Sequence, residues 1–142
     1  MKLSRQEEIA LLFTSELANH RDVFVSLSDV ADKHALSLLF LKKIAGMLKK
    51  NGLIISKEGQ GGGYKLLKLP EEISAWDVIT AVGGNNPTAQ EINVGFQCPL
   101  RPSCMPQKVR LLLVKAFQQY AADVTIDQFI KRPYTPYEKN IP

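Results

Sequence analysis

Three observations predict a mainly α-helical fold carrying one small two-stranded β-hairpin. Apolar residues recur at steps of three and four in several successive segments, the pattern of amphipathic helices. Two short apolar-rich runs, 53–58 and 64–69, flank the glycine cluster Gly59-Gln60-Gly61-Gly62-Gly63, which reads as a hairpin tip. The 142 residues, 45% apolar and 23% charged, have the size and composition of one globular domain with an arm. No stretch approaches the roughly 18 apolar residues of a membrane span, and Met1–Gln6 is not followed by a signal-peptide core. Two cysteines exclude a disulfide-built secreted scaffold. A soluble cytoplasmic protein with no membrane partner is expected.

The elements follow in order. From Ser4 to about His20, Ile9, Leu12, Phe13 and Leu17 mark one helical face, with Glu16 expected on the polar side. Ser4 and Glu7 have the spacing of a capping box. Residues 26–35 read as a short second helix capped by Ser26 or Ser28. A third helix is expected from a Ser37 cap to about Asn51, stopped by Gly52. Its inward stripe is Leu38, Leu41, Ile44, Ala45 and Leu48; Leu39, Lys42, Lys43, Gly46, Lys49 and Lys50 fall opposite. Gly46 costs about 1 kcal/mol in helix stability relative to Ala, which points to close approach by something on that side.

After the hairpin, residues 72–83 read as another helix, capped by Ser74, with Trp76, Val78, Ile79 and Val82 as its apolar members. Residues 84–106 form a Gly-, Asn- and Pro-rich loop that holds both cysteines. A long helix follows from about Gln107 to Ala122, with Leu112, Leu113, Ala116, Phe117 and Tyr120 on one side. It is also apolar at Val109, Leu111 and Val114, too much for one buried face, so packing against a second copy is expected. Thr125–Lys131 reads as a last short helix and 132–142 as an extended tail. The expected units are thus 1–83, the cysteine loop 84–106, the dimerisation segment 107–131 and the tail.

Charge sharpens this plan. The net charge is +4, but residues 33–68 hold eight lysines and one acid, Glu58, a local balance of +7. A lysine run alone is often just a solvated face; here four of the lysines share one side of the third helix. Two short helices, a lysine-faced third helix and a hairpin with lysines at its base form the plan of a winged helix-turn-helix. In that plan the third helix enters the major groove of DNA and the wing follows the backbone or minor groove. The glycine run is not a nucleotide-binding loop, because it lacks the Gly-Lys-Ser/Thr ending and lies between two strands. Duplex contacts are therefore expected from Ser37, Leu39, Phe40, Lys42, Lys43 and Lys50 on the helix. Lys57, Gly59, Gln60, Gly61, Gly62 and Tyr64 would add contacts from the wing.

Cys98-Pro-Leu-Arg-Pro-Ser-Cys104 is the chemical oddity. Two cysteines five residues apart suit a disulfide, two buried thiols or half of a metal site. Zinc or an iron–sulfur cluster needs four ligands, and the histidines are His20 and His34. A thiol-based reductase lacks any second catalytic grouping in this sequence, so no enzyme is expected.

Several of these segments resemble one family. They are Met1-Lys2-Leu3-Ser4, Leu48-Lys49-Lys50-Asn51-Gly52, the wing Gly59–Tyr64, the helix around Ile79-Thr80-Ala81-Val82, and the cysteine loop. They are similar to bacterial transcription regulators of the IscR/NsrR type, the Rrf-two family of iron–sulfur cluster regulators and nitric-oxide sensors. The resemblance covers about residues 1–130. It implies a homodimeric winged-helix DNA binder, dimerised through the long helix, in which many members carry a cluster that sets DNA affinity. Cluster-binding relatives usually have three cysteines in this loop, and the first of those positions falls here at Ile92, with a further histidine position at Gln107. Relatives with fewer cysteines add an acid of the first helix and a histidine before the recognition helix, donated by the partner chain. The matching residues here are Glu8 and His34. The resemblance thus implies a [2Fe–2S] cluster on Cys98, Cys104, Glu8 and His34, with a clusterless regulator that uses a thiol switch or another ligand as the alternative. Leu39-Phe40 stands where relatives place Ser-Tyr, and Lys42 and Lys43 stand where one relative uses Glu and Gln, so a different operator is expected.

Overall fold

Ser4 opens the first helix as its spacing predicts: its Oγ accepts the Glu7 N–H at 3.2 Å, and the Glu7 carboxylate accepts the Ser4 N–H at 2.8 Å. The computed structural model describes residues 3–83 and 105–132. Helix α1 (Arg5–Asn19) buries Ile9, Ala10, Phe13, Leu17 and Ala18. Helix α2 (Leu27–His34) ends in Ala35, a non-glycine residue held in the left-handed region at φ 52°. Ser26 takes its N-cap position without a side-chain cap bond; its Oγ lies 2.8 Å from the Ser28 Oγ instead.

Helix α3 (Leu38–Lys50) is capped by Ser37, whose Oγ accepts the Phe40 N–H at 3.3 Å. It stops through Asn51 and Gly52, the latter at φ +73°. Leu41, Ile44, Ala45 and Leu48 are fully buried, as the stripe predicts. Leu38, expected with them, is 48% exposed. At 3.6 residues per turn it lies about 70° from the centre of the stripe, and it is the first helical residue, at the edge of the core.

Strands β1 (Ile54–Lys57) and β2 (Gly63–Leu66) pair antiparallel with Ile54 opposite Leu66 and Lys57 opposite Gly63. They are shorter than the sequence runs: Leu67 and Leu69, counted in the second run, are each 54% exposed beyond the ladder. Val25 joins as an isolated bridge, exchanging two 2.8 Å hydrogen bonds with Tyr64. Gly63, at φ +140°, is required there, since a Cβ would collide with the Val25 carbonyl.

A short 3₁₀ turn (Pro70–Glu72) precedes α4 (Ala75–Val82), whose cap Ser74 forms a capping box with Asp77. The long helix α5 (Met105–Asp123) starts two residues earlier than its periodicity predicts. Pro106 sits in the first turn, where a missing N–H costs nothing. Helix α5 packs on α4 with an edge-on Phe117–Trp76 contact at 6.3 Å, and it buries Val114 and Ala121. Helix α6 (Ile126–Lys131) is tied back by Ala75 N–H to Val124 O at 2.7 Å and Ile126 N–H to Ile73 O at 2.9 Å. The cysteine loop up to Cys104, and the tail beyond Arg132, lie outside the described residues. Among the described residues no helix is long and apolar enough to cross a membrane.

The two faces of α3 should differ in mutational cost. Leu48→Ala should lower unfolding free energy by about 2–5 kcal/mol, whereas Leu39→Ala should stay within about 0.5 kcal/mol. Urea unfolding of both variants checks this, and equal losses would mean the helix is rotated from the orientation described.

Candidate nucleic-acid interface

Anchoring the apolar stripe of α3 fixes what it presents to solvent. Lys42, Lys43, Gly46, Lys49 and Lys50 are all exposed, and Leu39 is 81% exposed. Leu39, Lys43, Gly46 and Lys50 recur at i, i+4, i+7 and i+11 and form the line opposite the stripe. Nothing lies within 4 Å of a Cβ built on Gly46, so the middle of this line is open. Among the described residues, Lys42, Lys43 and Lys50 have neither an ion pair nor a hydrogen bond from their ammonium groups. Phe40, also expected to face a duplex, is half-buried and packs against the core.

The wing stands beside this helix. Lys49 Nζ donates to Ser56 Oγ of β1 at 2.6 Å, linking the end of α3 to the hairpin. Lys57 and Lys65 on facing strands both hold their ammonium groups 5.8 Å from the centre of the Phe24 ring. Gly59 (φ +87°) and Gly61 (φ +70°) shape an exposed tip. Gly62 has a structural reason too, because a Cβ there would meet the Lys57 backbone. Gln60 is exposed at the tip, while Tyr64 is half-buried with its ring edge-on to Phe13 at 6.0 Å.

Two expected ligand residues have different surroundings. Glu8 is exposed on α1 and faces Arg5 at 3.9 Å. His34, the last residue of α2, has its Nε2 2.8 Å from Glu16 Oε1. Cys98 and Cys104 lie outside the described residues, and among the described residues no three His, Cys, Asp or Glu side chains converge. Glu16 itself corrects the sequence expectation. It is not on a polar face but buried at the α1–α2 contact, where Lys33 Nζ also donates to it at 2.9 and 3.1 Å. The missed signal was its 17- and 18-residue separation from Lys33 and His34, which single-helix periodicity does not register. Burial alone would push the Glu16 carboxyl up; hydrogen bonds from Lys33 and His34, with their charge, hold it below the ordinary carboxylate range.

Over residues 3–132 the sequence matches the Rrf2 family, described as iron-dependent transcriptional regulators. The HTH-type transcriptional regulator IscR of Serratia proteamaculans is 37% identical over 83 residues, 58% of this chain and 51% of that protein. An HTH-type transcriptional regulator of Aquifex aeolicus is 36% identical over 74 residues, 52% and 51% of the two chains. The chain matches only about half the length of these curated relatives. Among solved structures, CymR (YrzC), the global cysteine regulator of B. subtilis, superposes with a TM-score of 0.78 at 23% identity, covering 92% and 96% of the chains. The oxidized form of Staphylococcus aureus CymR gives 0.78 at 26% identity, covering 95% and 100%. T. potens IscR gives 0.75 at 24% identity, covering 92% and 87%. The mainly α architecture with a two-stranded wing is that of these winged-helix proteins.

The Glu16 cluster sets an acid limit on stability. A carboxylate whose folded pKa lies below its unfolded value stabilises the fold fully above the unfolded pKa, and that contribution is lost as pH falls through the folded pKa. Unfolding free energy should therefore drop below about pH 4.5, and Glu16→Gln should flatten that part of the profile while lowering stability at neutral pH. Denaturant titrations between pH 3 and pH 7 measure both effects.

Proposed function

Because the chain belongs to the Rrf2 family of transcriptional regulators, we propose that it is a homodimeric, sequence-specific binder of duplex DNA. Redox state, iron or nitric oxide would set its affinity through a [2Fe–2S] cluster. The observation that carries the DNA-binding part is the unpaired lysine line of α3 beside a wing whose strands carry Lys57 and Lys65. Duplex phosphates are the complementary partner for donors-only side chains on one face, and the open position at Gly46 admits close approach.

Dimerisation is supported by the outer side of α5. Val109, Leu112, Leu113, Ala116 and Tyr120 follow i, i+3, i+4, i+7 and i+11, and all are exposed, Leu112 at 67%. A continuous apolar stripe of this length on a 19-residue helix favours a second copy as its cover.

For the cluster, the donor chemistry of Cys98, Cys104, Glu8 and His34 fits: two thiolates, a carboxylate with only a long, exposed ion pair, and an imidazole. In the Nε2–H tautomer, His34 donates to Glu16 and leaves Nδ1 for a metal, the arrangement common for ligating histidines. A bound cluster would supply a one-electron couple, with oxygen and nitrogen ligands raising its potential above that of an all-thiolate site. His34 ends α2, and the turn Ala35–Ser37 leads straight into α3, so the hold on its ring is also a hold on the DNA-reading helix. The second reading, a clusterless regulator switched by the two thiols, is favoured by the shortage of loop cysteines and by the likeness to an oxidized form of CymR.

Binding to duplex DNA should weaken steeply with salt, log Kd rising linearly with log salt, and Lys43→Ala or Lys50→Ala should each cost about 1–3 kcal/mol where a base contact is lost. Salt-independent binding, or none, would overturn the regulator reading. Protein prepared without oxygen should be coloured and contain iron and sulfide in equal amounts, both lost in Cys98→Ser and in His34→Ala. A colourless, iron-free protein that still binds DNA would leave the thiol reading in place.

A further inference from the structure

The head of the lysine line carries no charge. Leu39 is the second residue of α3, on the same line as Lys43 and Lys50, and at 81% exposure it adds almost nothing to the core. Isolated exposed leucines are ordinary on protein surfaces. This one is placed differently: Ser37, Leu39, Phe40, Lys42 and Lys43 line one open concavity with no acidic residue among them. Its middle is apolar and its charged members are both cations, so the surface suits a polyanion that offers an apolar group at one point.

Duplex DNA has one protruding apolar group on its major-groove edge, the C5-methyl of thymine; the C5–H of cytosine is apolar but offers no bulk to pack on, and the other groups that code sequence there are hydrogen-bond donors or acceptors. Leucine has no polar atom to satisfy those, and covering one would leave it unpaired at a cost of about 1–3 kcal/mol. In helix-turn-helix docking it is the N-terminal residues of the recognition helix that meet base edges, and Leu39 is among them. Lys43 lies four residues on, about one helical turn along the same line, and a helix in the major groove sets residues so spaced over neighbouring base pairs. Resting on the DNA-binding reading above, we infer that Leu39 is a specificity-determining residue. Its side chain packs on a thymine methyl within one or two base pairs of the pair that faces Lys43, and thereby restricts the operator.

The test uses the full chain and duplexes selected by it from a random-sequence pool. Each thymine of the selected half-site is replaced in turn by deoxyuridine, which removes only the methyl group. At one thymine per half-site the replacement should weaken binding about four-fold, the effect of one buried carbon. In Leu39→Ala the same replacement should have no effect, whereas Leu38→Ala should keep the four-fold response; unchanged melting temperatures show both variants folded. Equal affinity for all deoxyuridine duplexes, or an undiminished response in Leu39→Ala, overturns the assignment while DNA binding stands. Failure to enrich any duplex, with no salt-dependent binding to random DNA, overturns the DNA-binding reading and this assignment with it.

Discussion

Phe13 and Leu17 are shielded completely because α1 is surrounded: it touches α3, α4, α6 and β2. A helix packed on that many sides has one admissible rotation, since any other would carry Arg5, Glu8 or Asn19 toward the core. Fixing α1 fixes the neighbours. The Tyr64 ring settles edge-on against Phe13, which seats β2, and the Val25–Tyr64 bridge then closes the wing onto the segment before α2. At the other end Gln6 donates its side-chain amide to the Val82 carbonyl, the last residue of α4. The orientation of α3 follows from the same core, because Leu41, Ile44, Ala45 and Leu48 have no other apolar surface to meet.

The lysines are thus displayed by exclusion, and their spacing makes the display tolerable. Like charges three or four residues apart on a helix repel by a few tenths of a kcal/mol. Lys42 and Lys49, and likewise Lys43 and Lys50, are instead seven residues apart, about 10.5 Å along the axis. That exceeds the Debye length of about 8 Å at physiological salt, and the adjacent lysines of each pair point about 100° apart around the axis, so no two of the four are stacked on one another. The wing lysines use another device: Lys57 and Lys65 each hold an ammonium group over the Phe24 ring, which attracts both cations without an acid. Both arrangements keep positive charge available to an outside anion and avoid neutralising it internally.

Local chemistry was legible where one turn of chain carries the whole instruction. Ser4 with Glu7, Ser37 before an apolar period, Gly52 after it and Ser74 are cap signals that mark the boundaries found, although the run 72–83 overstates its helix, which starts at Ala75 after the Ser74 cap. The glycine run predicts the hairpin, but assigns all its glycines to one purpose. Gly62 and Gly63 are also demanded by backbone contacts with Lys57 and Val25, partners that only the folded chain supplies. Leu67 and Leu69 look like strand residues by composition, yet the ladder ends at Leu66, where the chain turns toward the 3₁₀ segment. Of the candidate site, the lysine face and wing were readable from periodicity; the neighbourhood of His34 was not, because Glu16 is assigned outward by its own helix and inward by a different one.

That buried carboxylate has a consequence for regulation on the proposed reading. The Glu16 carboxylate takes the Lys33 ammonium on both oxygens and the His34 ring on one, so Lys33 and His34 are held against α1 together. Immediately after them Ala35 adopts a left-handed conformation that costs a non-glycine residue about 1 kcal/mol, and Leu36 closes back on the Ala31 carbonyl at 2.8 Å. A turn this constrained transmits displacement rather than absorbing it. Helix α1 holds the imidazole through one ring nitrogen, and α3 begins four residues further along the chain. A ligand taken by the second nitrogen would therefore act on the placement of the lysine line while the Glu16 pair stays intact, and no separate hinge is needed to connect sensing to DNA reading.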